Sequence, residues 1–260
     1  MAWNKRIEAL RTIVLWECKD IPPDLVLALI KHESAGYVGR KAGVACKPGV
    51  LHDAAGNSHT VNHALGLMQT IPATIDWYNQ SAPANEKATF EDMTGTDERA
   101  ARLQTRIGCK FLAFVNHYLH KKMPEAAPAA SLSEASPDQI KLALTGFAVG
   151  HGATLKKLKA VKALGVLPSF EAIKANFPGW GKNSAGKWIN RPIKFAEVVF
   201  DWYRENKTGS IDIPKPVEIV KRTVSKVNGK GAFVAVAFLA GAGWLLTKYY
   251  SKPRGNHADT

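Results

Sequence analysis

One stretch limits the fold more than any other: residues 95–120, GTDERAARLQTRIGCKFLAFVNHYLH, read as one long helix. Thr96 is placed to cap its start, and Asp97 and Glu98 put negative charge in the first turn, where the helix dipole favours it. The flanking sequence also reads as helices. Ile7, Leu10 and Val14 recur at helical spacing in an amphipathic N-terminal segment. The prolines of DIPPD are placed to open a further helix, which stops near Gly36. SPDQIKLALTGFAVGHG begins with Ser136 as cap and Pro137 in the first turn. Its inner face is Ile140, Leu144 and Phe147, and Gly150 and Gly152 end it. PIKFAEVVFDWYRE closes the series. The expected fold class is mainly α, with one helical domain over residues 1–204. Three connections stand between the helices. Residues 37–63, rich in Gly, His and Asn, read as a long loop of a kind usually functional or mobile. Residues 121–135, rich in Ala, Pro and Ser, read as a linker, and a Gly/Trp/Asn loop covers 178–190.

Composition shifts near Glu205. Residues 205–230 are polar, basic and Pro-flanked, which suits a tether. Residues 231–250, GAFVAVAFLAGAGWLLTKYY, carry no charge from Gly231 to Thr247. Trp244, Tyr249 and Tyr250 gather at one end as interfacial aromatics, and Lys230 and Lys248 can snorkel at the borders. No polar face is left to meet water, so a transmembrane helix in a lipid bilayer is expected, followed by a short polar tail over 251–260. Basic residues flank both ends, so charge does not set the orientation. The N-terminus lacks an uninterrupted apolar run and a small-residue cleavage site, which argues against a cleaved secretion signal.

The chain of 260 residues has a formal net charge of +13. Such a balance favours an anionic partner: a nucleic acid, an acidic membrane or a cell-wall glycan. Nothing beyond charge supports nucleic acid, and there is no glycine-rich phosphate loop, so no specific nucleic-acid partner is expected. The lysine-rich run LKKLKAVKALG (155–165) suits either a solvated face or contact with anionic murein or lipid. Cys18, Cys46 and Cys109 are scattered and odd in number, which suggests free thiols. Cys46, His52, Asp53, His59 and His63 fit no standard zinc spacing, so neither a metal nor another cofactor is expected.

One acid stands out. In PPDLVLALIKHES, Val26, Leu29 and Ile30 share a helix face, and Glu33 continues it. A carboxyl group in apolar surroundings is costly when charged and stays protonated near neutral pH, as a general acid requires. Downstream, ALGLMQTIPAT (64–74) offers Gln69 and the backbone around Gly66 for holding amide groups of a substrate.

Together these segments resemble the soluble lytic transglycosylase family of the lysozyme superfamily, over about residues 20–200. Glu33-Ser34 matches the family's catalytic Glu-Ser. Ala64, Gly66, Leu67, Met68, Gln69, Pro72 and Thr74 match its A-x-GLMQ-x-x-P-x-T block. Gly108, Phe111 and Leu112 are similar to its G-x-x-Y-L helix, and LALTGFAVGHG stands where the family has LAAYNAGxG. The resemblance implies a lysozyme-like domain that cleaves peptidoglycan between N-acetylmuramic acid and N-acetylglucosamine, leaving a 1,6-anhydro end. It implies Glu33 as the catalytic acid and base, with Ser34, Gly66, Met68, Gln69 and Phe147 toward substrate. The family tyrosine that donates to the catalytic Glu is Phe147 here, and the neighbouring Asn is Ala148. His63, His151 and Tyr37 are the candidates to replace that hydroxyl, and Asp53 and Asp76 the candidate second acids of a hydrolytic variant. Such a domain joined to a C-terminal membrane anchor resembles what bacteriophages with an internal membrane carry in the virion to breach the wall. The competing readings are a hydrolytic N-acetylmuramidase or wall peptidase, and a degenerate module that only binds peptidoglycan.

Overall fold

A computed structural model describes residues 3–177, 179–180 and 190–206. The chain is mainly helical there, as the periodicity predicts. The expected tether, transmembrane helix and tail (207–260), and most of the 178–190 loop, lie outside the described residues. Among the described residues no helix is long and apolar enough to cross a membrane.

Two short helices open the chain, α1 (Lys5–Ala9) and α2 (Arg11–Glu17), and they bury Ile7, Leu10 and Val14. Helix α3 (Pro23–Ser34) follows, with proline at its first position. It is more enclosed than a one-sided stripe suggests: every residue from Asp24 to Ile30 is buried. A helix apolar around its whole middle belongs inside a domain. Asp24 is compensated, since the Arg11 guanidinium lies 2.9 Å from its carboxylate and the Trp3 indole donates to it at 3.1 Å. The helix ends where expected: Ala35 (φ 55°) and Gly36 (φ 79°) turn left-handed.

Residues 37–63 are not a long loop. Strands β1 (Lys41–His52) and β2 (Ser58–Leu65) pair antiparallel as a hairpin, with Leu51 opposite His59 and Lys41 opposite Leu65. Its turn is built by Asp53, whose carboxylate accepts from the Asn57 backbone at 2.7 Å and from the Asn57 amide at 2.8 Å. Gly56 supplies the positive φ of 87°. Leu51, Val61 and Leu65 face inward, and the register slips twice along β1.

Helix α4 (Pro72–Ser81) and the short α5 (Phe90–Thr94) sit beneath the hairpin. The long helix is α6 (Glu98–Lys122); its cap is Asp97, which accepts from Ala100 at 2.7 Å, one residue after the expected Thr96. Helix α7 (Pro137–Val149) is capped by Ser136 as expected. Gly150 (φ 88°) ends it, and α8 (His151–Ala163) begins at once, so Gly152 lies inside a helix and not at a stop. Helices α9 (Phe170–Asn176) and α10 (Arg191–Asn206) complete the described chain.

Residues 121–135 are also more than a linker. Ala126, Ala127 and Leu132 are buried. Asn116 on α6 donates to the carbonyl of Ala130 at 2.9 Å, and Gln139 on α7 both donates to Asn116 at 2.8 Å and accepts from the Ala129 backbone at 3.0 Å. Two buried amides thus satisfy the backbone of this strap and hold it to the domain.

The cysteines are not all free. Cys18, just after α2, is bonded to Cys109 on α6, with their Cα atoms 5.6 Å apart; Cys46 stays a thiol. The two are 91 residues apart, so only the packing of α2 on α6 brings them together. The Arg106–Glu17 ion pair at 2.7 Å ties the same two helices.

Buried apolar residues form two clusters. The larger joins α1–α3, α7–α10 and one face of α6. The smaller gathers Leu51, Val61 and Leu65 of the hairpin, Ile75 and Tyr78 of α4, and Met93 of α5 against Leu103 and Ile107 of α6.

Candidate active site

A cleft of about 940 Å³ opens between the end of α3, the hairpin, the start of α4, and helices α6, α7 and α10. Glu33 lines it together with Gln69, Phe111 and Phe147, so the separate sequence blocks do meet in space.

Glu33 is partly buried in the last turn of α3, and burial pushes its carboxyl up to about 7 from an ordinary 4.5. Desolvation is the cause, for no described side chain donates a hydrogen bond to it. At neutral pH the group is divided between acid and base, the range in which one carboxyl can give a proton and take one back.

Glu33 is the only acid among the described residues that line the cleft; the other ionisable ones are His32, Arg191 and Lys194. Asp53 is at the hairpin tip, where hydrogen bonds from Asn57 and His59 hold its carboxyl down at about 2. Asp76 is exposed on α4 and accepts from Gln80 at 3.1 Å. Neither stands in the cleft.

The turn before α4 has a layered construction. Gly66 adopts φ 78°, and a Cβ there would lie 2.7 Å from Gln104 Cγ. Leu67 and Met68 are fully buried, and Met68 packs where Gly108 leaves space, its sulfur filling the place a Cβ would need. Gln69 also sits at positive φ, 47°, unusual for a residue with a side chain. Its amide donates to the carbonyls of Gly66 at 2.7 Å and Arg40 at 2.9 Å, which binds the turn to the start of the hairpin.

Of the residues expected toward substrate, Gln69 and Phe147 line the cleft, while Ser34, Gly66 and Met68 do not. Ser34 is fully buried, donates to the Ile30 carbonyl at 3.2 Å and accepts from Gly36 at 3.2 Å, so it secures the helix end that carries Glu33. Met68 is core. Phe147 is at the cleft edge, 5.7 Å from Phe111 between ring centres. The three candidates for the missing hydroxyl all stand elsewhere: Tyr37 lies under Arg6, His151 packs edge-on against Phe114 and Tyr118, and His63 is on β2 opposite Ala45.

Two contributors have no counterpart in the sequence reasoning. His32 lines the cleft beside Glu33, edge-on to Phe195 at 4.7 Å, and partial desolvation lowers its pKa and favours the neutral ring. Gln104, wholly buried on α6, holds the turn from below. Its carbonyl accepts from the backbone of Gly39 and Leu67, both at 3.1 Å, and its amide donates to the backbone carbonyls of Asp92 at 2.9 Å and Gly95 at 3.1 Å. A glutamine amid helix-face polar residues carries no signal for such a role. Among the described residues no group of three His, Cys, Asp or Glu is gathered to hold a metal.

Comparison with protein-family models, curated proteins and solved structures finds no match to this chain.

Proposed function

We propose that residues 1–204 form a lysozyme-like lytic transglycosylase domain acting on peptidoglycan, with Glu33 as its proton shuttle. The observation that carries the reading is a single carboxyl among the described residues of the cleft, lifted by burial to about 7. The meeting of Glu33, Gln69, Phe111 and Phe147 in that cleft supports it. So does the order of the motifs along the chain.

In this reading Glu33 first gives its proton to the β-1,4 oxygen, and the bond from muramoyl C1 to that oxygen breaks. The substrate's own N-acetyl oxygen stabilises the cationic C1. Glu33, now a carboxylate, takes the proton from the C6 hydroxyl as that oxygen closes on C1. The acid is restored and no water is consumed. Substrate assistance removes the need for a second carboxylate, which suits a cleft whose described residues include one. Residues 231–250 would hold the domain to a bilayer, as in a virion with an internal membrane that opens the wall during infection.

The test is digestion of purified murein by the full chain in mild detergent, with products read by mass spectrometry. Anhydro-muropeptides that vanish with Glu33→Gln are expected. Reducing ends would point to hydrolysis, and undiminished cleavage by Glu33→Gln would remove Glu33 from the site. One observation favours a second reading, a module that binds murein without cutting it: among the described residues nothing donates to Glu33. Retained murein binding with no product would establish that alternative.

A further inference from the structure

Three large apolar side chains stand exposed in one four-residue turn. Leu164 is 61 % exposed, Val166 41 % and Leu167 70 %, where the chain leaves α8 through Gly165 at φ 74°. The inner face of α8 is already buried through Leu155, Leu158 and Val161, and the chain regains the core only at Pro168 and Phe170. The turn is therefore an apolar tip outside the packing of the domain. A lone exposed leucine needs no explanation, whereas three together do; Val166 and Leu167 also line an open surface hollow with Glu125 and Lys162.

The surroundings are basic. Lys156, Lys159 and Lys162 are exposed on α8, and Lys121 and Lys122 are exposed at the end of α6. Two acids stand near them: Glu125, which pairs with Lys162 at 2.5 Å, and Asp138, which accepts from the Phe170 backbone at 2.8 Å. On the neighbouring α9, Glu171 pairs with Lys141, and Lys174 pairs with Glu197. Lys157 is turned toward the rings of Phe177 and Trp180. Lys156 and Lys159 have no acidic partner among the described residues. At 1.5 Å of rise per residue Lys159 lies about 6 Å and Lys156 about 10 Å from the helix end, so Lys159 is within one screening length of the tip and Lys156 at its margin.

We infer that this turn docks on a lipid bilayer. Leu164, Val166 and Leu167 enter the headgroup region, and Lys156 and Lys159 rest on anionic headgroups. The composition selects lipid over protein. Protein interfaces concentrate energy in aromatic residues and arginine and are depleted in lysine. Apolar residues edged by lysines are the pattern of interfacial membrane binding. The inference stands apart from the glycan reading, for it uses none of the cleft residues.

The test uses the full chain with a photo-reactive probe in place of Leu167, and separately in place of Val50, which is 53 % exposed on the hairpin. Residues 231–250 can bring every sample to vesicles, so the readout is which position labels phospholipid, not whether the chain binds. In phosphatidylglycerol vesicles the probe at 167 should label lipid at least about fivefold more than the probe at 50. Each lysine contributes roughly a fivefold preference for an anionic surface, so Lys156→Glu/Lys159→Glu should lower that labelling at least about tenfold. Phosphatidylcholine vesicles should lower it as well. Labelling at 167 no greater than at 50, labelling equal in both lipids, or label found on protein would overturn the proposal.

Discussion

Replacing Glu33 by glutamine should stabilise the protein, and only when the solution is not acidic. Burial raises the Glu33 carboxyl from 4.5 to about 7 in the folded chain. Between those two values the folded state keeps a proton that the unfolded chain has released. The native state then binds more protons, so stability falls as pH rises through this window. Below pH 4.5 both states are protonated and the carboxyl costs nothing; above pH 7 the whole penalty is present. At 1.36 kcal/mol for each pKa unit the displacement is worth roughly 3 kcal/mol. The carboxyl is partly open to the cleft, and solvent screening brings the expected figure to about 1–3 kcal/mol. Glutamine fills nearly the same space and never ionises. The measurement is urea unfolding of the parent and Glu33→Gln in the same detergent at pH 4 and pH 8. Every other titrating group is common to both proteins and cancels in their difference. The gap should be near zero at pH 4 and reach about 1–3 kcal/mol in favour of the variant at pH 8. A gap that is the same at both pH values would refute desolvation as the source of the raised pKa.

Three further outcomes follow from the packing. Gln104→Ala leaves the Gly39 and Leu67 backbone amides without their acceptor in a buried setting, and urea unfolding should show a loss of about 2–4 kcal/mol. Gly66→Ala forces a side chain into φ 78° and against Gln104, and should lose about 2–3 kcal/mol, while alanine at the open helical Gly152 should cost nothing measurable. Cys18→Ala/Cys109→Ala opens a link spanning 91 residues and should cost about 2–5 kcal/mol; the parent unfolded in the presence of a reductant should lose nearly as much.

The helices were legible because their signals are local. Ser136 and Pro137 mark the start of α7, and Ala35-Gly36 stop α3 within one residue of the place the glycine indicated. The hairpin was missed because its Gly, His and Asn content masks the alternation. The turn chemistry of Asp53, Gly56 and Asn57 was the available signal. The strap after α6 was misread for a different reason: its partners, Asn116 and Gln139, belong to helices before and after it. The disulfide and the role of Gln104 depend wholly on which faces meet, which periodicity does not specify. At the cleft, the GLMQ part of the motif block supplies one lining residue and the turn beneath it, a division that the motif does not show. In Gly-Leu-Met-Gln only the last residue reaches the cleft, while the others build the turn that presents it.

The two apolar clusters have a consequence for motion. The hairpin, α4 and α5 share one core, Glu33 hangs from the other, and α6 contributes a face to each. Leu67 and Met68, beneath Gln69, belong to the same core as the helix that bears Glu33, so Glu33 and Gln69 keep their spacing while the hairpin wall, on its own core, is the part of the cleft that can shift without unpacking either. Such a shift would run along α6, which contributes a face to each core.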